Sequence, residues 1–189
     1  MMIDTATGLL IDARQVSSSN WDERPEGSVP ELIVIHGITL PPGQFGGPWI
    51  DALFTNTLDP AAHPYFAEIH QLQVSSHLLI RRDGEVVQYV PFTKRAWHAG
   101  KSSYAGRERC NDFSIGIELE GTDESPYEAV QYHQLARVID ALVHAYPTLS
   151  ASRIAGHSDI APGRKTDPGP FFQWGEFYAL LEGGPSRLA

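Results

Sequence analysis

The chain has 189 residues, with 14 Lys+Arg against 23 Asp+Glu and a formal net charge of −9. At 42% hydrophobic and 20% charged residues it is too apolar for a disordered tail and long enough to bury a sizeable core. The acidic balance excludes a basic, phosphate-tracking nucleic-acid binder, and no apolar run reaches the ~18 residues of a membrane span.

Leu32-Ile33-Val34-Ile35 is the first clear strand. It is short, largely β-branched and apolar on both faces, as a central strand is, and it is expected to end at His36-Gly37. A Pro/Gly-rich loop follows over 41–48, then short helices over 49–54 and 64–71. Asp83-Gly84 between two β-prone runs, 76–82 and 85–90, predicts a hairpin. Over 113–120, Phe113, Ile115, Ile117 and Leu119 alternate with Ser114, Gly116, Glu118 and Glu120, so the two glutamates share the non-apolar face.

Ser125-Pro126-Tyr127-Glu128 reads as a helix start, with Ser125 as N-cap and Glu128 closing a capping box. The apolar stripe Leu135, Val138, Ile139, Leu142, Val143 and Tyr146 follows, and Pro147 ends the helix. A short strand at Arg153-Ile154-Ala155, the pair Gly156-His157, a loop and a last helix over 174–181 complete the pattern. Gly183-Gly184-Pro185-Ser186 opens an expected flexible tail over 183–189. The expected fold is a single α/β domain, a mixed central β-sheet flanked by helices, with its core over 17–181.

Among eight histidines, His36 and His157 each fall where a strand meets a loop, and Asp167 lies ten residues beyond His157. Two imidazoles and a carboxylate would leave one position of a zinc ion open, as catalytic sites do. Lys165, two residues before Asp167, would point the same way in an extended loop and could hold an oxyanion. Glu118 could accept a proton from water. Spacing alone does not choose between these roles and plain ones: hydrogen-bonded histidines, the solvated face of an antiparallel strand for Glu118 and Glu120, and loop charges for Arg164 and Lys165.

Longer segments decide more. Ile35-His36, Arg95-Ala96-Trp97-His98-Ala99-Gly100, 111–121 and 156–162 closely resemble the zinc-dependent N-acetylmuramoyl-L-alanine amidases, a superfamily that also holds peptidoglycan-recognition proteins and phage lysozyme-like amidases. Leu40-Pro41-Pro42-Gly43, His63-Pro64-Tyr65-Phe66 and 164–169 resemble its cytosolic cell-wall-recycling branch in particular, and the resemblance runs from about 17 through 174. It implies that His36, His157 and Asp167 bind one zinc ion, that Glu118 is the general base and that Lys165 stabilises the transition state; Glu120 matches no catalytic role.

The same resemblance implies a small muropeptide substrate, cleaved between the lactyl group of (1,6-anhydro-)N-acetylmuramic acid and L-alanine. It also implies that cleavage lowers an inducing signal for β-lactamase. Tyr65, Trp97 and His98 are candidates to line the substrate groove, and Arg109 to pair with a stem-peptide carboxylate. Two positions depart from the family pattern: Gly37 stands where Asn is common and Gln73 where Arg is frequent, and both are expected to face the sugar. Rival readings are a non-catalytic peptidoglycan-binding module, which loss of a ligand would have favoured, and a lytic amidase acting on polymeric cell wall.

The remaining candidates are ordinary. His133, Arg137, Asp140 and His144 share the polar face of the long helix, and Pro64 separates His63 from a shared helix face with His70. Cys110, the single cysteine, allows no intrachain disulfide and reads as a buried thiol. The acidic start Met1-Met2-Ile3-Asp4-Thr5 does not resemble an export signal, so a cytoplasmic location is expected, with no membrane, nucleic-acid or obligate protein partner.

Overall fold

In the computed structural model, which describes residues 1–183, one six-stranded sheet carries the chain. Its strands are β1 (Arg14–Gln15), β2 (Leu32–Ile38), β3 (Leu78–Ile80), β4 (Val86–Gln88), β5 (Ser114–Glu120) and β6 (Ile154–Gly156), in the spatial order β6-β2-β5-β3-β4-β1. The strands β6, β2, β5 and β3 run parallel, β3 and β4 form the antiparallel hairpin, and β1 runs parallel to β4. The sheet is therefore mixed, as the element pattern predicts. The strand pair of the hairpin is shorter than the β-prone runs, with Leu78 opposite Gln88 and Ile80 opposite Val86.

β2 does not end at His36. It continues to Ile38 because β5 pairs with it over its whole length, from Ser114 opposite Leu32 to Glu120 opposite Ile38. β5 is thus a central parallel strand and every one of its residues is buried, which removes the solvated-face reading of Glu118 and Glu120.

The helices are α1 (Trp49–Phe54), α2 (Pro64–Ile69), α3 (Ala129–Ala145), α4 (His157–Ile160) and α5 (Trp174–Gly183). α3 starts later than expected: Glu128 is the N-cap, and its N–H donates to the Gln131 side chain at 2.9 Å. Ser125 instead pairs its hydroxyl with Thr122 at 3.0 Å, and the buried ring of Tyr127 holds the chain outside the helix. His63 and His70 cap the two ends of α2, with His63 Nδ1 accepting from the Tyr65 N–H at 3.1 Å, so they form no metal pair. α5 extends to Gly183, and the rest of the expected tail lies outside the described residues. No helix among the described residues is long and apolar enough to cross a membrane.

One sheet face, with Ile33, Ile35, Ile115, Ile117 and Leu119, packs on the apolar stripes of α3 and α5. The opposite face carries two separate clusters. Leu79 and Val87 pack with α1 and α2, while Leu32, Val34, Cys110 and Ala155 pack with Ile160. Between those clusters, at the carboxyl ends of β2, β5 and β6, a groove opens. Strand ends of this kind are where open α/β sheets assemble their sites.

Candidate active site

His36 leaves β2 near its end, Glu118 leaves β5 directly opposite it, and His157 follows β6 as the first residue of α4. Asp167 arrives from the loop after α4. That loop is closed by the Ser158 N–H donating to the Asp167 carbonyl at 2.9 Å and by the Tyr127 hydroxyl donating to the Pro168 carbonyl at 2.9 Å. Three donor atoms converge. His36 Nδ1 lies 2.9 Å from His157 Nδ1, and Asp167 Oδ2 lies 3.2 Å from the first and 3.0 Å from the second. Ligand atoms of a tetrahedral zinc site with bonds of ~2.0 Å stand about 3.3 Å apart, so this donor set fits that ion.

The electrostatics separate the two carboxyl groups. Burial pushes the Glu118 carboxyl well above its ordinary value, with Asp167 nearby adding to the shift. Burial also opposes ionisation of Asp167, but the imidazoles of His157 and His36 on its Oδ2 outweigh that and hold it below the usual carboxylate range. Burial drives His36 down to about 4, which favours the neutral form a metal ligand requires. Carboxyl groups pushed apart in this way divide the roles of base and ligand. Glu118 Oε2 is buried and has no hydrogen-bond partner.

The groove beside this cluster, of about 300 Å³, is lined by Tyr65, Trp97, His98 and Lys165 together with the backbone around Gly37. Lys165 is exposed there, two residues from Asp167. Gln73 and Arg109 fall outside that lining. Gln73 is exposed and not among the lining residues, although Leu72 and Val74 on either side of it are. A Cβ on Gly37 would point at the Tyr127 hydroxyl, 2.4 Å away. Arg109 pairs with Asp112 at 3.3 Å and lines a neighbouring depression of about 540 Å³ with Lys101 and Arg164.

Sequence reasoning assigned no site role to Ser114 or Asn111 and left Arg164 open to reading as a loop charge. Ser114, Asn111 and Arg164 all bond to the segment 98–99 or to its histidine. Ser114 had one signal in sequence: with Gly116 it shares the face of Glu118 in the alternation of β5. Glu120 is buried and accepts from the Gly46 N–H at 2.6 Å and the Arg82 N–H at 3.2 Å, which pins the loop 41–48.

Three donor atoms that could hold a metal ion, beside a buried free carboxyl and a groove, suit a hydrolase, and comparison with known proteins supplies the family. Residues 26–170 match the family model described as N-acetylmuramoyl-L-alanine amidase. The 1,6-anhydro-N-acetylmuramyl-L-alanine amidase AmpD of Enterobacter cloacae is 66% identical over 174 residues, covering 92% of this chain and 92% of that protein. A crystal structure of a selenomethionine derivative of AmpD superposes with a TM-score of 0.92 at 64% identity, covering 96% of this chain and 99% of the other.

The Escherichia coli amidase AmiD, in complex with the substrate anhydro-N-acetylmuramic acid-L-Ala-D-γ-Glu-L-Lys, has a TM-score of 0.58 at 29% identity, over 83% of this chain and 60% of that one. The chain belongs to the N-acetylmuramoyl-L-alanine amidase family.

Proposed function

We propose that this chain, as one domain, hydrolyses the amide between the lactyl group of 1,6-anhydro-N-acetylmuramic acid and L-alanine of the stem peptide. The reading places it in the cytoplasm, in peptidoglycan recycling, where it would lower a muropeptide signal for β-lactamase induction. The observation that carries the reaction is the buried, unpartnered Oε2 of Glu118 beside the His36–His157–Asp167 donor set.

His36, His157 and Asp167 would hold one zinc ion, which when bound supplies a Lewis acid for the lactyl carbonyl and lowers the pKa of water. Glu118 takes the proton from the attacking water and returns it to the departing nitrogen of L-alanine; its raised pKa suits it to carry that proton between the two steps. The Lys165 ammonium faces the carbonyl oxygen as it gains charge. Tyr65 and Trp97 form the groove wall, and the Arg109 depression receives the carboxylates of the stem peptide.

Gly37 contributes backbone to the groove and Gln73 lies outside its lining, which supports an anhydro-ring preference set by other residues. The test is one assay with two substrates, anhydro-muramoyl-tripeptide and its hydrated counterpart, with free tripeptide followed by chromatography. Chelator-sensitive release from the anhydro form alone is expected. Equal release from both would leave the amidase and remove the recycling specificity.

A further inference from the structure

We propose that His98 is a positioning residue: with the Ala99 carbonyl it selects the tautomers of His36 and His157, so that both Nδ1 lone pairs face the metal position. This rests on the reading of His36, His157 and Asp167 as metal ligands. The Ser114 hydroxyl has one proton, and the Cys110 carbonyl at 2.6 Å can only accept it. Toward His98 Nε2, 3.1 Å away, Ser114 Oγ is therefore the acceptor, and His98 carries its proton on Nε2. In a neutral imidazole Nδ1 is then an acceptor, and it lies 2.9 Å from His36 Nε2, which must donate. The Ala99 carbonyl, which can only accept, lies 3.2 Å from His157 Nε2, and the Arg164 guanidinium, 3.5 Å from that nitrogen, donates at the shorter 2.6 Å to the same carbonyl, so Nε2 is assigned as the donor.

Both rings consequently present lone pairs at Nδ1, 2.9 Å apart and beside the Asp167 carboxylate. A cation bound by these three close atoms would take the place of any proton shared among them. One short segment orients both imidazoles, and it is itself anchored. Asn111 Oδ1 accepts from the N–H groups of His98 at 3.2 Å and Ala99 at 2.8 Å, and Arg164 donates to the Ala99 carbonyl at 2.6 Å. Gly116 leaves the space the His98 ring fills: a Cβ there would meet His98 Cγ at 2.4 Å. With Nδ1 and Nε2 both engaged inside the protein, His98 offers a bound substrate its ring edge and no free nitrogen.

The test measures zinc affinity of the full chain by competition with a chelating fluorophore, alongside the imidazole N–H proton resonances of the zinc-loaded protein. A wild-type chain that binds no zinc removes the ligand reading itself. Given wild-type binding, His98→Leu is expected to lose about 10–100-fold in affinity and to lose or shift the His36 Nε2–H resonance. His98→Asn places Oδ1 where Nδ1 stood and is expected to recover most of that affinity.

Ser114→Ala leaves every contact to the ligands in place yet frees the His98 tautomer, so a several-fold loss is expected even if His98→Leu fails to fold. Unchanged affinity in Ser114→Ala, or in a folded His98→Leu, overturns the inference, as does His98→Asn binding as weakly as His98→Leu.

Discussion

Glu118 stands opposite His36 across the parallel β2–β5 pair, so the carboxyl proposed as proton acceptor and the imidazole proposed as metal ligand leave the sheet on the same face, one strand spacing apart. Neither depends on a loop for its position. Replacing Glu118 with Gln keeps shape and removes the proton acceptor. Activity should fall about 10²–10⁴-fold with zinc stoichiometry unchanged, measured by tripeptide release and metal analysis of the same sample. A variant that cleaves at full rate would remove the base assignment.

Lys165 is exposed, and its removal should leave folding intact. For Lys165→Ala we expect kcat to drop about 10²–10³-fold while KM changes little, because the ammonium is assigned to charge that develops only in the transition state. Steady-state kinetics decide this. A rise in KM with kcat preserved would make Lys165 a substrate-binding group instead.

Zinc binding should stabilise the fold, since the donor set forms only when residues 121 apart in sequence meet. At free zinc 100-fold above Kd the gain is about 2.7 kcal/mol, or roughly 5–10 °C in Tm for a chain of this size. Thermal melts of chelator-treated protein with and without added zinc test it. Superimposable melts would count against the metal reading.

Gly37→Ala places a Cβ 2.4 Å from the Tyr127 hydroxyl, and we expect it to cost about 1–3 kcal/mol in urea unfolding. Tyr127→Phe removes that oxygen together with its hydrogen bond to the Pro168 carbonyl. The double variant should therefore be more stable than the sum of the single losses predicts. Strict additivity would show that the two positions do not share this contact.

His77 is fully buried, and burial lowers its pKa to about 3 from an ordinary 6.5. Between those values the unfolded chain takes up a proton that the folded chain refuses, so stability falls as pH falls. The loss approaches ~1.4 kcal/mol per pH unit from this group. Urea unfolding of metal-free protein between pH 7.5 and 5 should show a slope smaller by one proton in His77→Phe. Equal slopes would mean that His77 titrates normally in the fold.

Local chemistry made several features readable from the chain alone. The β-branched run at 32–35 and the Asp83-Gly84 turn are strand and hairpin signals that depend on near neighbours, and α1 was bounded residue for residue. The alternation along 113–120 correctly grouped Ser114, Gly116, Glu118 and Glu120, because a strand's period is a property of its backbone. The identities of His36, His157 and Asp167 were visible as chemistry-bearing residues at element ends.

Their meeting was not visible. Donor atoms within 3.2 Å of one another come from two distant stretches, His36 in one and His157 with Asp167 in the other, and the pairing of β6 with β2 brings them to one edge. The same holds for burial: alternation cannot tell a solvated face from a covered one, and the parallel partners of β5 bury both glutamates. The space beside Gly37, which the Tyr127 hydroxyl fills, is likewise set by packing between distant residues. Arg109 and Gln73, in loops, were placed by packing that no periodicity encodes. Local patterns report what a residue's neighbours in sequence permit, whereas direction, burial and hydrogen-bond partnership are set by contacts between residues far apart along the chain.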